Sequence, residues 1–293
     1  MQRIVRLVRD GFARGKAALG LMVKYPVISG PIVITMGYCV HQYTVQKNTN
    51  DAIYSKLKLG SKPTQTHFNF TADRSDVVSE IQKLLMESDA ENGKFGVILG
   101  PKGTGKTHAT IAACNIKSNG IVYKKINQPL NTPAGLASAA GIPVVPSIFD
   151  RIERLFGLQS SFYFPHDPVK ATSYVLRHVA MKADQLQKED NMKMLPCFVI
   201  DGAELVAKYQ PEVFDTILRY AEYYATTKRL RIVLVFSDGD VLSSIEQVLG
   251  HRLVEVVEVL DLDDKDAEEY LTKRTNMSTG LAKRVVNLIG VKI

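Results

Sequence analysis

The chain has 293 residues, of which 45% are hydrophobic and 23% charged, and this excludes disorder, collagen and coiled coil as descriptions of the whole. Cys39, Cys114 and Cys197 stand far apart without CxxC or Cys/His spacing, so they support neither a disulfide scaffold nor a structural zinc site. The net charge is +7, yet residues 1–24 alone carry +5 and the remaining chain only +2, which argues against nucleic acid as a partner of the globular part.

Wound as a helix, residues 3–19 put Ile4, Val5, Val8, Phe12 and Leu19 on one arc and Arg3, Arg6 and Arg14 opposite, with Leu7 on the wrong face. An Arg-rich, acid-poor amphipathic start has the composition of a mitochondrial presequence; a basic surface helix against lipid headgroups is the competing reading. Tyr25–Gln46 follows, 22 residues without Asp, Glu, Lys or Arg. As a helix it would measure about 33 Å, enough to cross a bilayer. The alternative is a buried hairpin or helix of a soluble fold. The basic flank, and a place outside the motif-bearing region, favour a membrane anchor in the mitochondrial inner membrane. The basic cluster should stay on the negative-potential side, although Lys47, Lys56, Lys58 and Lys62 soften the asymmetry. Residues 47–65 are polar and lack a clear period, so they are expected to be a linker.

Phe95–Leu99 is an apolar run that predicts a buried strand. It enters Gly100, Pro101, Lys102, Gly103, Thr104, Gly105, Lys106 and Thr107, the full GxxxxGKT pattern, followed by helix-like residues from His108. The glycines permit backbone angles other residues resist and let amide N–H groups approach phosphate. A helix starting near Lys106 presents unpaired N–H groups and its positive dipole end. Lys106 supplies charge to the β- and γ-phosphates, and the Thr107 hydroxyl joins the Mg²⁺ shell. Gly100 to His108 are thus the candidate ATP-binding residues.

Gly120–Ile126 reads as a strand and Tyr174–Leu186 as a helix. The apolar run from Leu195 ends at Asp201, where a strand-end carboxylate would reach Mg²⁺ through water. Phe214–Thr226 reads as an amphipathic helix. Arg231–Phe236 predicts a further strand, and Ser237 at its end is positioned to hydrogen-bond the attacking water or the γ-phosphate; a simple Asp/Gly-rich turn is the competing reading. Alternating strands and helices imply an α/β fold: a parallel sheet sandwiched by helices, with the nucleotide at the C-terminal strand ends.

GPKGTGKTH, FVIDGAEL and VLVFSDGD, in that order, resemble the AAA+/STAND division of P-loop ATPases, and within it the archaeal-type ATPases. The likeness spans residues 66–289. It implies that Phe70–Ile81 form an N-terminal helix near the adenine. It makes Gly250-His251-Arg252 similar to an arginine-bearing segment, with Arg252 a catalytic candidate. It makes Leu262–Leu271 a first lid helix capped by Asp263 and followed by a second, with Arg284 a guess for a lid sensor. The expected organisation is a basic start at 1–24, an anchor at 25–46, a linker at 47–65, an ATPase domain at 66–256 and a partial lid at 257–293. This layout is similar to that of fungal mitochondrial membrane proteins carrying such a domain.

One departure bears on chemistry. Many AAA+ proteins carry a catalytic Glu directly after the strand-end Asp, but here Gly202 holds that place and the next acid is Glu204. The Asp201-Gly202-Ala203-Glu204 run resembles the NACHT-type arrangement, in which Glu204 would orient or deprotonate water. A solvated helix-start carboxylate is the alternative. The expected function is therefore a membrane-anchored, Mg²⁺-dependent ATPase that converts hydrolysis into movement of a partner or of its own lid, with a protein partner or a homo-oligomer as its assembly, or else an ATP-loaded scaffold or switch with little or no turnover.

Overall fold

Five short strands pair side by side into one parallel sheet: β1 (Phe95–Leu99), β2 (Ile121–Lys125), β3 (Cys197–Asp201), β4 (Arg231–Val235) and β5 (Val254–Glu258), in the order β2-β3-β4-β1-β5. The computed structural model describes residues 43–44, 46–60, 63, 74–86, 94–142, 144, 164–189, 194–237, 245 and 254–289. The basic start, nearly all of the 25–46 segment, and Arg252 lie outside them. Among the described residues, no helix is long and apolar enough to cross a membrane.

The chain divides into two units. Of the smaller, Met1–Asp51 with Ser147–Tyr163, the described residues 43–44 and 46–51 are helical. The larger, Ala52–Pro146 with Phe164–Ile293, holds the sheet and eight labelled helices: α1 (Ser75–Met86), α2 (Lys106–Ile116), α3 (Thr132–Ala139), α4 (Pro168–Glu189), α5 (Ala203–Tyr209), α6 (Pro211–Thr226), α7 (Asp264–Thr275) and α8 (Thr279–Ile289).

Side-chain alternation sorts the core into two layers. Val97, Val122, Phe198, Ile200, Ile232 and Leu234 face one way, against α3, α4, α5 and α6. Ile98, Ile121, Cys197, Val199, Val233 and Val235 face the other, against α1 and α2. Both faces are covered, which explains why the strands read as unbroken apolar runs. Register carries Asp201 level with Val235, and Ile98 level with Val235, so the ends of β1, β3 and β4 share one rim.

Two boundaries drawn from the sequence meet observed elements. Residues 52–59, read as linker, are helical, and Ile53 and Leu57 are fully buried in the first layer. Two apolar residues four apart are stripe enough when the other face carries lysines. The sheet continues past the expected boundary at 256, because β5 runs through Glu258 and hydrogen-bonds β1 along its length. Its alternating VEVVE sequence is that of an edge strand with one half-exposed face. The two helices expected after β5 are present as α7 and α8, and the Asp263 carboxylate caps α7 by accepting from the Asp266 N–H at 2.7 Å.

Candidate nucleotide site

The phosphate loop runs from the end of β1 into the first turn of α2. Gly103 and Gly105 take left-handed φ values of 96° and 84°, and Gly105 is the N-cap of α2. Gly100 is required for space instead: a Cβ there would lie 2.1 Å from the Val259 carbonyl oxygen. The loop is closed on itself by Thr104, whose hydroxyl donates to the Pro101 carbonyl at 3.0 Å.

Lys106 is the electrostatic centre. Its ammonium donates to the Pro101 carbonyl at 2.5 Å and lies 3.5 Å from the Thr104 hydroxyl, and both partners are neutral. The side chain is buried, and burial pushes its pKa below the ordinary lysine value. Glu204, Asp201 and Asp261 oppose that shift, which brings these three carboxylates within electrostatic reach of the ammonium. Burial also lowers the pKa of His108, which follows Thr107 on α2. Pro101, Lys102 and Gly103 are exposed at the loop's outer side.

Asp201 ends β3 and is 4% exposed. Its Oδ2 accepts a 2.6 Å hydrogen bond from the Tyr123 hydroxyl, one strand over on β2. Tyr123 was not among the sequence candidates. An aromatic near the end of the strand beside an Asp-terminated strand is the available signal, and strand order was needed to read it.

Gly202 explains the displaced acid. It takes φ 83° and caps α5, and a Cβ on it would lie 2.8 Å from the Ile126 carbonyl oxygen. No side chain fits there, so the first turn of α5 supplies the next carboxylate, Glu204. Its Oε2 is buried without a hydrogen-bond partner. Such an oxygen is costly unless a cation, a water or a protonated group meets it.

Ser237 follows β4 just past the rim that holds Asp201, and is partly buried. Arg284 lies exposed on α8. The structure thus gathers Lys106, Asp201 and Glu204 and puts Ser237 on the same rim. Arg252 falls outside the described residues. Among the described residues, no cluster of three or more His, Cys, Asp or Glu side chains forms a metal cage. The donors present are Thr107, Asp201 and the uncompensated Glu204 oxygen, and they suit a hard cation such as Mg²⁺ that keeps most of its ligands as water and phosphate.

Neither a family model nor a curated protein matches the chain. Among solved structures it is similar to the Walker-type ATPase PabY2304 of Pyrococcus abyssi, at 18% identity and a TM-score of 0.54, over 78% of this chain and 67% of that one. It also matches the Aeropyrum pernix ORC1 protein in complex with DNA, at 14% identity and a TM-score of 0.42, over 71% of this chain and 50% of that one. A third match is Drosophila ORC bound to DNA, at 12% identity and a TM-score of 0.42, over 83% of this chain and 55% of that one. The parallel five-stranded sheet with helices on both faces, together with the first of these likenesses, gives the chain the α/β fold of a P-loop ATPase.

Proposed function

We propose that the protein is an AAA+/STAND-like ATPase that binds and hydrolyses ATP with Mg²⁺ and converts nucleotide state into movement of its lid or of a protein partner. The observation that carries this reading is Lys106: a buried ammonium whose hydrogen-bond partners are the neutral Pro101 carbonyl and Thr104 hydroxyl, at the N-terminus of a helix. Burial disfavours its charge, and a phosphate is the anion that the surrounding amide groups also select.

In this reading Lys106 exchanges the Pro101 carbonyl for the β- and γ-phosphate oxygens. Thr107 and Asp201 would hold Mg²⁺, which supplies charge neutralisation on the phosphates. Tyr123 keeps Asp201 from rotating away. Glu204 accepts a hydrogen bond from the attacking water through the oxygen that has no partner in the protein. Ser237 donates to the γ-phosphate or to the same water.

Membrane anchoring by residues 25–46, with a mitochondrial address in residues 1–24, extends the proposal and rests on sequence composition. Nucleic acid is left out because residues 25–293 carry only +2 of formal charge.

The test is ATP binding and steady-state turnover by the full chain in detergent, for the parent, Lys106→Ala and Glu204→Gln. Lys106→Ala is expected to abolish binding. Glu204→Gln is expected to bind ATP as the parent does and to lose turnover by about 10²-fold or more. A parent that binds without turnover would make the protein an ATP-loaded switch. A parent that retains no ATP at all would overturn the proposal.

A further inference from the structure

Arg74 stands immediately before α1, distant in sequence from both groups it holds. Its Nη1 donates to the Thr104 carbonyl at 2.6 Å and its Nη2 to the Leu260 carbonyl at 2.5 Å. Thr104 belongs to the phosphate loop. Leu260 belongs to the link 259–263, which leaves β5 and enters the first lid helix, α7. One planar guanidinium therefore spans loop and link, a task for which its fork of donors is suited.

The same link meets the loop at two more points. The Val259 N–H donates to the Leu99 carbonyl at 2.7 Å, and the Val259 carbonyl packs directly on Gly100. Asp261 lies within electrostatic reach of Lys106. Two successive link residues thus meet this end of the sheet and loop, Val259 at Leu99 and Gly100 and Leu260 at Thr104 through Arg74. The Asp263 cap then starts α7 only two residues later, so a shift of the link has little slack in which to dissipate before it reaches the lid.

Peptide geometry says what the Thr104 contact does. In a trans peptide the C=O and the following N–H point in opposite directions. No cis peptide occurs among the described residues. By holding the Thr104 carbonyl, Arg74 fixes the Gly105 N–H, which points the opposite way within the same peptide plane, at the N-terminus of α2.

We propose that Arg74 is a positioning residue that locks the phosphate loop to the lid link, so that occupancy of the loop sets the orientation of the lid. The proposal rests on the nucleotide reading above and assigns the part of the molecule through which that site acts. A plain structural role, in which Arg74 only anchors the start of α1, is the competing account.

The experiment is hydrogen–deuterium exchange on the full chain, with and without ATP and Mg²⁺, for the parent, Arg74→Ala and Arg74→Lys. Without nucleotide, Arg74→Ala is expected to speed exchange about tenfold at residues 104–105 and 260–262 together, while β3 and β4 keep parent rates. With ATP, the parent slows exchange in both segments, whereas Arg74→Ala slows it in the loop alone. Arg74→Lys should behave as Arg74→Ala, because one ammonium lacks the fixed fork that spans both carbonyls. Parent exchange rates at either segment in nucleotide-free Arg74→Ala would overturn the lock. So would ATP protection of the link in that variant equal to the parent's. Loss of ATP protection in the parent's own loop would sink the nucleotide reading instead, and the nucleotide-free comparison would still decide the role of Arg74.

Discussion

The Tyr123 hydroxyl donates to Oδ2 of Asp201 at 2.6 Å, across neighbouring strands and on the face covered by α2. Asp201 is almost wholly buried, and a carboxylate in that position without donors would be expensive. Burial, and then the neighbouring carboxylate, hold the Tyr123 proton well above the ordinary tyrosine range. The hydroxyl therefore stays a donor at every usable pH. It engages one carboxylate oxygen and leaves Oδ1 free of this contact.

Tyr123→Phe keeps the ring and removes the donor. It is expected to cost about 1.5–3 kcal/mol of stability, the range for a hydrogen bond to a charged group, read by urea denaturation. It is also expected to raise the Mg²⁺ concentration needed for half-maximal ATP binding several-fold, while binding of ATP without metal changes little. An unchanged Mg²⁺ requirement would reduce Tyr123 to a packing role.

Lys106→Met separates function from stability. The parent ammonium hydrogen-bonds neutral groups, and burial outweighs Glu204, Asp201 and Asp261 to depress its pKa below 10.5. Between that lowered value and 10.5 the unfolded chain binds more protons than the folded one, so this group makes stability rise with pH across the window. The variant lacks that slope. It should be at least as stable as the parent at neutral pH and retain no ATP. Urea melts at several alkaline pH values, beside a binding assay, check both halves. Loss of stability in Lys106→Met would mean that the lysine holds the loop rather than a ligand.

Gly202→Glu restores an acid directly after Asp201, yet it should not help hydrolysis. The position is left-handed at φ 83°, which costs a non-glycine residue about 1–2 kcal/mol, and the Ile126 carbonyl blocks the Cβ. The expected result is a fall in Tm with no gain in turnover, measured by calorimetry and phosphate release. A gain in turnover would transfer the water-orienting role away from Glu204.

The local parts of the site were legible in the sequence, because GxxxxGKT and an apolar run ending in Asp each encode their geometry within a few residues. β1, β3 and β4 fell where apolar runs put them, and β2 where Ile121, Val122 and Tyr123 open a strand. What was not legible depends on contacts between distant segments. Tyr123 matters only because β2 lies beside β3, an adjacency no run of residues announces. Arg74 reads as a charge at a helix start, yet it holds carbonyls 30 and 186 positions away. Arg231 opens the predicted strand 231–236 and its burial has no local signal: it is 2% exposed and donates to the Leu84 carbonyl in the last turn of α1. β5 was missed because an edge strand shows solvent half of its side chains, and alternating Val and Glu weigh little in a search for buried runs.

Cys114 on α2 and Cys197 on β3 lie fully buried in the layer between the phosphate-loop helix and the sheet. Burial holds both thiols protonated, and pushes Cys197 up to about 12. An unfolded thiol ionises at about 8.5. Between those values the folded state binds more protons than the unfolded one, so stability should fall as pH rises past the unfolded value, by at most about 1.4 kcal/mol per pH unit for each thiol. Neither thiol should react with iodoacetamide in the native state at pH 8, and labelling should follow opening of the α2 layer. On the proposed reading ATP with Mg²⁺ binds only the folded loop, so it should slow labelling at both positions by a factor of up to one plus the ratio of ATP concentration to Kd. Peptide mapping by mass spectrometry reads each cysteine separately. Rapid labelling of Cys114 in the native protein, or rates indifferent to saturating ATP that is known to be bound, would break the link between the nucleotide and the layer beneath the phosphate loop.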